Sequence, residues 1–244
     1  MINNYKKFGF QFIPSFFSDD EVSQLDIFCQ ELSQKHFKEG YYENSVIDVE
    51  ESVLVRMEKI LTINNRFRTI LIQSKVSSLL ELCLGEKAVL FKDKINFKPP
   101  GNRADLLHQD QQAGWGDYAP YFVTLCICVD ENTSLNGCLM LPDKEIYKHN
   151  LVVYGNSDEP LKESAIPSLS LKEHPAQPGD IFIFDSYVPH ASNPNYSRED
   201  RRNIYLTFNG LSHGDHYHLY YSKKYLDYPP NAYRDQDRTY EYKV

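Results

Sequence analysis

Three side chains in this 244-residue sequence have the types and spacing to hold a reactive metal. They are His108 and Asp110 in His108-Gln109-Asp110, and His190 in Tyr187-Val188-Pro189-His190-Ala191-Ser192. Two imidazoles and one carboxylate grip one face of a ferrous ion and leave the opposite face open to reactants. An open face implies chemistry rather than a structural metal. His108 and Asp110 stand at i and i+2, so on an extended segment both project to one side and reach one ion. With no thiolate, the set suits Fe(II), and in principle Zn(II), Mn(II), Co(II) or Ni(II). Zinc would imply a hydrolase, but no Glu adjoins His108 as a general base. Arg201, eleven residues beyond His190 (190 to 201), is placed to hold an acidic cosubstrate, while Arg202 would face the other side of its strand.

These groups need a rigid frame, and from about residue 88 the texture provides one. Short runs rich in β-branched and aromatic residues recur at 88–91, 94–98, 121–129, 137–141, 180–184 and 202–209. Turn residues separate them, as in Pro99-Pro100-Gly101-Asn102, Asn136-Gly137 and Gln177-Pro178-Gly179-Asp180. Many short strands over one stretch point to a mainly β fold, an antiparallel sandwich or barrel with packed helices. The strand at 180–184 leads directly to His190. Lys92, Lys94, Asn96 and Lys98 alternate and so share one strand face, which in a solvated sheet is only a polar surface. Gln112, Trp115 and Tyr118 follow the first two ligands closely, and Trp115 reads either as a core plug or as a pocket wall.

The N-terminal part reads as helical. Ser18-Asp19-Asp20-Glu21 fits a capping box, and Val22, Leu25, Phe28 and Leu32 recur behind it at helical spacing. A second helix is predicted across 70–84, ended by Gly85. The weakly patterned segment from 142 to 178 reads as an insertion loop, and the terminal 225–242 stretch as an extended tail packed on the domain. We read one domain over 1–244: a helical part at 1–86, a β core at 88–210 and a C-terminal tail at 211–244.

Bulk composition narrows the class. Net charge of −8 argues against nucleic acid as the main partner. No apolar run approaches the length that spans a bilayer, and the N-terminus lacks the apolar core of a secretory signal. Five cysteines without a CxxC pair fit a reduced, cytoplasmic setting. Cys126 and Cys128 share one strand face and read as small core residues before any metal or redox role.

At these motifs the chain resembles the phytanoyl-CoA dioxygenase (PhyH) family. The matching features, in order, are Gly9-Phe10-Gln11-Phe12-Ile13-Pro14 before a capped helix, His108-Gln109-Asp110, Asn136-Gly137-Cys138-Leu139, Leu141-Pro142, Gln177-Pro178-Gly179-Asp180 and His190-Ala191-Ser192. The resemblance implies a double-stranded β-helix (jelly roll, cupin-like) and O2-dependent oxidation of a small molecule, with 2-oxoglutarate converted to succinate and CO2. It assigns iron to His108, Asp110 and His190, and the distal carboxylate of 2-oxoglutarate to Arg201, helped by Ser192. Asn96, with Lys94 as second choice, becomes a further cosubstrate contact. Gln112, Trp115 and Tyr118 become candidates for the substrate pocket. A narrower likeness to bacterial enzymes of small polar molecules suggests an aminoalkylphosphonate-like or amino-acid-like substrate. Asp110 favours hydroxylation, since related halogenases carry a small residue there. The alternatives are a jelly-roll binding protein without turnover and a zinc hydrolase. His213, His216 and His218 resemble metal ligands but fall in the tail, where a surface or lid role fits better.

Overall fold

Alternation within the central strands sets the architecture. The computed structural model describes residues 2–35, 40–48, 51–143, 169–235 and 237–240. In chain order its helices are α1 (Asn3–Phe8), α2 (Asp19–Gln34), α3 (Asn65–Leu71), α4 (Ser74–Leu84) and α5 (Tyr217–Asp227). Its strands are β1 (Phe10–Ile13), β2 (Tyr41–Asp48), β3 (Glu51–Glu58), β4 (Ala88–Lys98), β5 (Asp105–His108), β6 (Val123–Cys128), β7 (Leu139–Pro142), β8 (Leu171–His174), β9 (Ile181–Asp185), β10 (His190–Ser192) and β11 (Arg201–Gly210). The larger sheet runs β1-β9-β6-β11-β4-β3-β2 and the smaller β5-β10-β7-β8. Every recorded strand pairing is antiparallel. Two facing antiparallel sheets with this order form the jelly roll.

Every residue of β6 is buried, because both of its faces are covered. Val123, Leu125 and Ile127 join Leu25, Leu32, Val76 and Leu80 in the core between the large sheet and the helices. Cys126 and Cys128 point the other way, into a second cluster between the sheets with Leu141, Phe184 and Tyr205. They are free thiols in a packed core, as their alternation predicts. The split puts the chemistry inside the barrel and the greasy face under helices.

The capping box forms as expected: Glu21 N–H donates to Ser18 Oγ at 3.3 Å, and Ser18 N–H donates to Glu21 Oε2 at 2.8 Å. The predicted 70–84 helix is two helices instead. Gln73 breaks it in an extended conformation. The Gln73 amide donates to the carbonyl of Ile70 and to Glu21, so the break is held by side-chain bonds that periodicity does not reveal. Gly85 ends α4 in the left-handed region, as expected.

Residues 1–86 are not purely helical, since β1, β2 and β3 fall among them. Their pairing with β9 and β4 is long-range, and propensity carries no trace of it. The runs at 88–91 and 94–98 merge into one strand, β4, with a bulge in its pairing between Thr207 and Phe208 of β11. Of the expected loop at 142–178, residues 144–168 lie outside the described residues, and β8 occupies part of the remainder. The tail is helical as far as Asp227 and packs on the sheet, with the Tyr225 hydroxyl donating to Gly40 O and Asn44 N–H to Asn231 Oδ1. No helix among the described residues is long and apolar enough to cross a membrane.

Candidate active site

Register brings the three predicted ligands together. His190 of β10 lies directly opposite His108 of β5, with ring centroids 4.2 Å apart. Asp110 opens the 3-10 turn Asp110–Ala113 immediately after β5. Its Oδ1 is 3.9 Å from both His108 Nε2 and His190 Nε2. Ligand atoms of the three residues all lie within 4.8 Å of one another.

The imidazole tautomers follow from their neighbours. His108 Nδ1 donates to the Leu106 carbonyl at 2.6 Å and His190 Nδ1 to the Val188 carbonyl at 3.0 Å. A carbonyl only accepts, so both Nδ1 atoms carry hydrogen, and both Nε2 atoms are turned towards Asp110. Burial, reinforced by His190, pushes His108 down to about 4, which favours the neutral ligand form. Burial opposes ionisation of Asp110, but its electrostatic interactions with the His190 ring, with Lys94 and with the His108 ring outweigh that and hold the carboxyl below its usual range. The Thr124 hydroxyl donates to Asp110 Oδ2 at 3.3 Å and is itself 3.0 Å from that of Thr207. Two imidazoles tied through Nδ1 to backbone carbonyls and one ionised carboxylate, each oriented from behind, fit a divalent ion of the ferrous type.

The triad lines a cavity of about 230 Å³ between the two sheets. Arg201 lines it too, only 2% exposed. One guanidinium nitrogen, Nη2, donates to Gly137 O at 2.8 Å, and the buried Nε has no hydrogen-bond partner. Gly137 itself sits at φ +74°, and a Cβ there would meet Asn193 O at 2.1 Å, so only glycine brings this carbonyl to Arg201. Arg202 is turned away: it donates to Asp130 at 2.8 and 2.5 Å and pairs with Asp26 at 2.8 Å.

Of the other expected site residues, Ser192, Asn96, Lys94, Gln112 and Trp115 all line the cavity. Ser192 Oγ donates to Asp105 Oδ2 at 2.5 Å and accepts from Lys98 Nζ. Asn96 keeps a buried Oδ1 without a partner. Burial lowers Lys94 to about 8, and its ammonium stands 5.1 Å from the Tyr205 ring centre. Trp115 is both wall and core, packing edge-on against Phe91 and Phe122. Tyr118 is not among the lining residues; it packs on Phe91, Tyr220 and His216. His213, His216 and His218 join no metal-type cluster among the described residues, and His216 Nε2 contacts the His213 carbonyl at 2.6 Å.

Sequence reasoning missed Arg56, Lys92 as a lining group, Arg103 and Asp105. Lys92 carried a signal, since it belongs to the alternating polar face of β4. Arg56 carried none, because β3 itself was not anticipated.

Comparison with known proteins identifies the family. Residues 5–203 match the phytanoyl-CoA dioxygenase (PhyH) family. The chain is 30% identical to a 2-aminoethylphosphonate dioxygenase of uncultured bacterium HF130_AEPn_1, over 97% of this chain and 90% of that protein. It is 32% identical to a methylphosphonate hydroxylase of Gimesia maris, over 91% and 85% respectively. Among solved structures it is similar in fold to EctD from S. alaskensis, determined with 2-oxoglutarate and 5-hydroxyectoine. That match has a TM-score of 0.70 at 18% identity, covering 86% of this chain and 74% of the other.

Proposed function

The chain belongs to the phytanoyl-CoA dioxygenase family of Fe(II)/2-oxoglutarate-dependent oxygenases, and on that premise we propose that it hydroxylates a small polar metabolite of the aminoalkylphosphonate or amino-acid type. The observation that carries this reading is the triad facing a cavity that also contains the buried, incompletely bonded guanidinium of Arg201. His108, Asp110 and His190 would hold the iron. Arg201 would take the distal carboxylate of 2-oxoglutarate, because a planar guanidinium meets a carboxylate with paired bonds. Ser192, Asn96 and Lys94 would surround the same cosubstrate. Gln112 and Trp115 would border the substrate. A cytoplasmic setting, where the five thiols stay reduced, belongs to the same reading.

Bound iron and 2-oxoglutarate supply O2 activation, with the cosubstrate leaving as succinate and CO2 and one oxygen atom entering a substrate C–H bond. The chain's part is positional. The Leu106 and Val188 carbonyls fix both imidazoles, and Thr124 fixes Asp110. Trp115 forms part of one wall and is held there by Phe91 and Phe122 packed edge-on behind it. The test is anaerobic addition of Fe(II) and then 2-oxoglutarate. A visible charge-transfer band must appear in the wild type and be absent from His190→Ala; a colourless wild-type complex rejects the reading.

A further inference from the structure

Lys92 is the one lining lysine whose ammonium is wholly buried yet makes no hydrogen bond among the described residues. Its nearest anion, Glu58 Oε1, is 3.5 Å away and already committed. Lys224 of α5 donates to that same oxygen at 2.7 Å, and Arg56 Nη1 lies 3.7 Å from it. Arg56 also pairs with Glu43 at 3.7 Å. Three cations, Lys92, Lys224 and Arg56, therefore share two carboxylates, Glu58 and Glu43. The tightest bond goes to Lys224, and burial pushes Lys92 well below the usual lysine range, so an added anion is what would hold its proton. An uncompensated buried cation is costly and demands a partner.

Strand register places Lys92 at the opposite end of β11 from Arg201. On β11, Thr207 pairs with Lys92 on one flank and with Thr124 on the other, and Thr124 bonds Asp110. Arg201 pairs with Lys98 at the far end of the same strand. Six residues separate Arg201 from Thr207, about 20 Å of strand. A cosubstrate carboxylate held by Arg201 therefore lies towards the opposite end of β11 from Lys92. Near Lys92 the walls are the Trp115 and Tyr220 rings, 5.8 and 5.6 Å from its ammonium. These favour a cation and supply no anion.

We propose that Lys92 binds the substrate's anionic head group, and that this group is a tetrahedral oxyanion of the phosphonate type rather than a carboxylate. Charge balance selects the class. The iron and the cosubstrate dianion cancel, and with their ion-pair partners counted the seven cations Arg56, Lys92, Lys94, Lys98, Arg103, Arg201 and Lys224 face the four carboxylates Glu43, Glu58, Asp105 and Asp110. A dianion offsets that excess better than a monoanion does. Glu58 and Lys224 act as positioning residues: Lys224 draws off most of the charge of Glu58, so Lys92 stays available to the ligand.

The proposal rests on the oxygenase reading, and its test separates the two. Enzyme loaded anaerobically with Fe(II) and 2-oxoglutarate is titrated with 2-aminoethylphosphonate and with its carboxylate counterpart, 3-aminopropanoate, following the shift of the charge-transfer band. The wild type should bind the phosphonate more tightly. Lys92→Met should weaken the phosphonate by about tenfold to a hundredfold, the range for losing a charge-assisted contact, and erase the preference while the 2-oxoglutarate titration stays unchanged. Lys92→Arg should keep the preference. Lys224→Met, which leaves Lys92 in place but returns the charge of Glu58 to it, should weaken the phosphonate less than Lys92→Met does. Equal binding of the two probes, no response to either, or unaltered phosphonate binding by Lys92→Met overturns the proposal with the oxygenase reading intact. Loss of 2-oxoglutarate binding in Lys92→Met also overturns it, by moving Lys92 to the cosubstrate. A missing band in the wild type overturns the oxygenase reading itself.

Discussion

Replacing Arg201 by Met keeps the length and apolar stem of the side chain and removes only the guanidinium. Arg201 is 2% exposed, so solvent does not screen its contacts. Its Nη2 is used by Gly137 O at 2.8 Å, while Nε is buried without a partner and available to a carboxylate. Charge-assisted bonds contribute about 1.5–3 kcal/mol each, so losing a pair costs about 3–6 kcal/mol. Lys98, adjacent across the strand pair, retains some positive potential, so the lower end is the better expectation. At about 1.4 kcal/mol per factor of ten, that is a loss of about a hundredfold in affinity for 2-oxoglutarate. Arg201→Lys should recover part of it, since an ammonium offers a point charge without the planar fork. The assay is anaerobic titration of the iron-loaded protein with 2-oxoglutarate, read from the charge-transfer band. Arg202→Met is the control, because Arg202 is occupied by Asp130 and Asp26 on the outer face. Unchanged half-saturation in Arg201→Met, or an equal loss in Arg202→Met, refutes the assignment.

Three further outcomes follow from single contacts. Thr124→Val removes the hydroxyl bonded to Asp110 and should weaken iron binding by about tenfold, as loss of an orienting partner does; a metal titration that matches wild type rejects the orienting role. Burial pushes Asp93 up to about 6, so the folded protein keeps a proton that the unfolded chain releases near pH 4. Its stabilising contribution is present below about pH 4 and lost as pH rises through about 6. In urea unfolding at pH 4.5 and 7, the stability of wild type relative to Asp93→Asn should therefore fall by about 1–3 kcal/mol, and a pH-independent difference contradicts the assignment. Ser18→Ala removes one half of the capping box and should cost about 1 kcal/mol of unfolding free energy with no change in iron or 2-oxoglutarate binding; altered cofactor affinity would mean that α2 reaches the site.

What was legible in advance depended on how local the cause was. Ser18 and Glu21 cap a helix across three residues, and Gly85 ends one by its own backbone freedom. Cys126 and Cys128 show their common face by simple alternation. His108 and Asp110 are two residues apart, and a strand end explains them both. Gln73 was not legible, because the bonds that stop the helix there reach Glu21, 52 positions away. The pair Glu58 and Lys224 lies 166 positions apart, and no periodicity marks either partner. Tyr118 sits close to Asp110 in sequence, yet a one-turn reversal points it towards Phe91 and Tyr220 instead of the cavity. Adjacency in sequence is a poor guide once the chain leaves a strand.

Strand register ties these observations to function more tightly than any single contact. The pairing of His190 with His108 brings the two imidazoles of the proposed metal site together, and the pairing of Arg201 with Lys98 puts a guanidinium at one end of the barrel. The same strand, six residues on, sets Thr207 between the partner of Asp110 and Lys92. One continuous strand, β11, therefore spaces Arg201, the support of Asp110 and the neighbour of Lys92 along a single axis. A slip of one residue would turn Arg201 outward and Arg202 inward, and would exchange Asn203, Tyr205 and Thr207 for helix-facing Ile204, Leu206 and Phe208. Burial of Ile204, Leu206 and Phe208 against the helices opposes that slip. The apolar face of β11 is thus what holds its polar face in catalytic order.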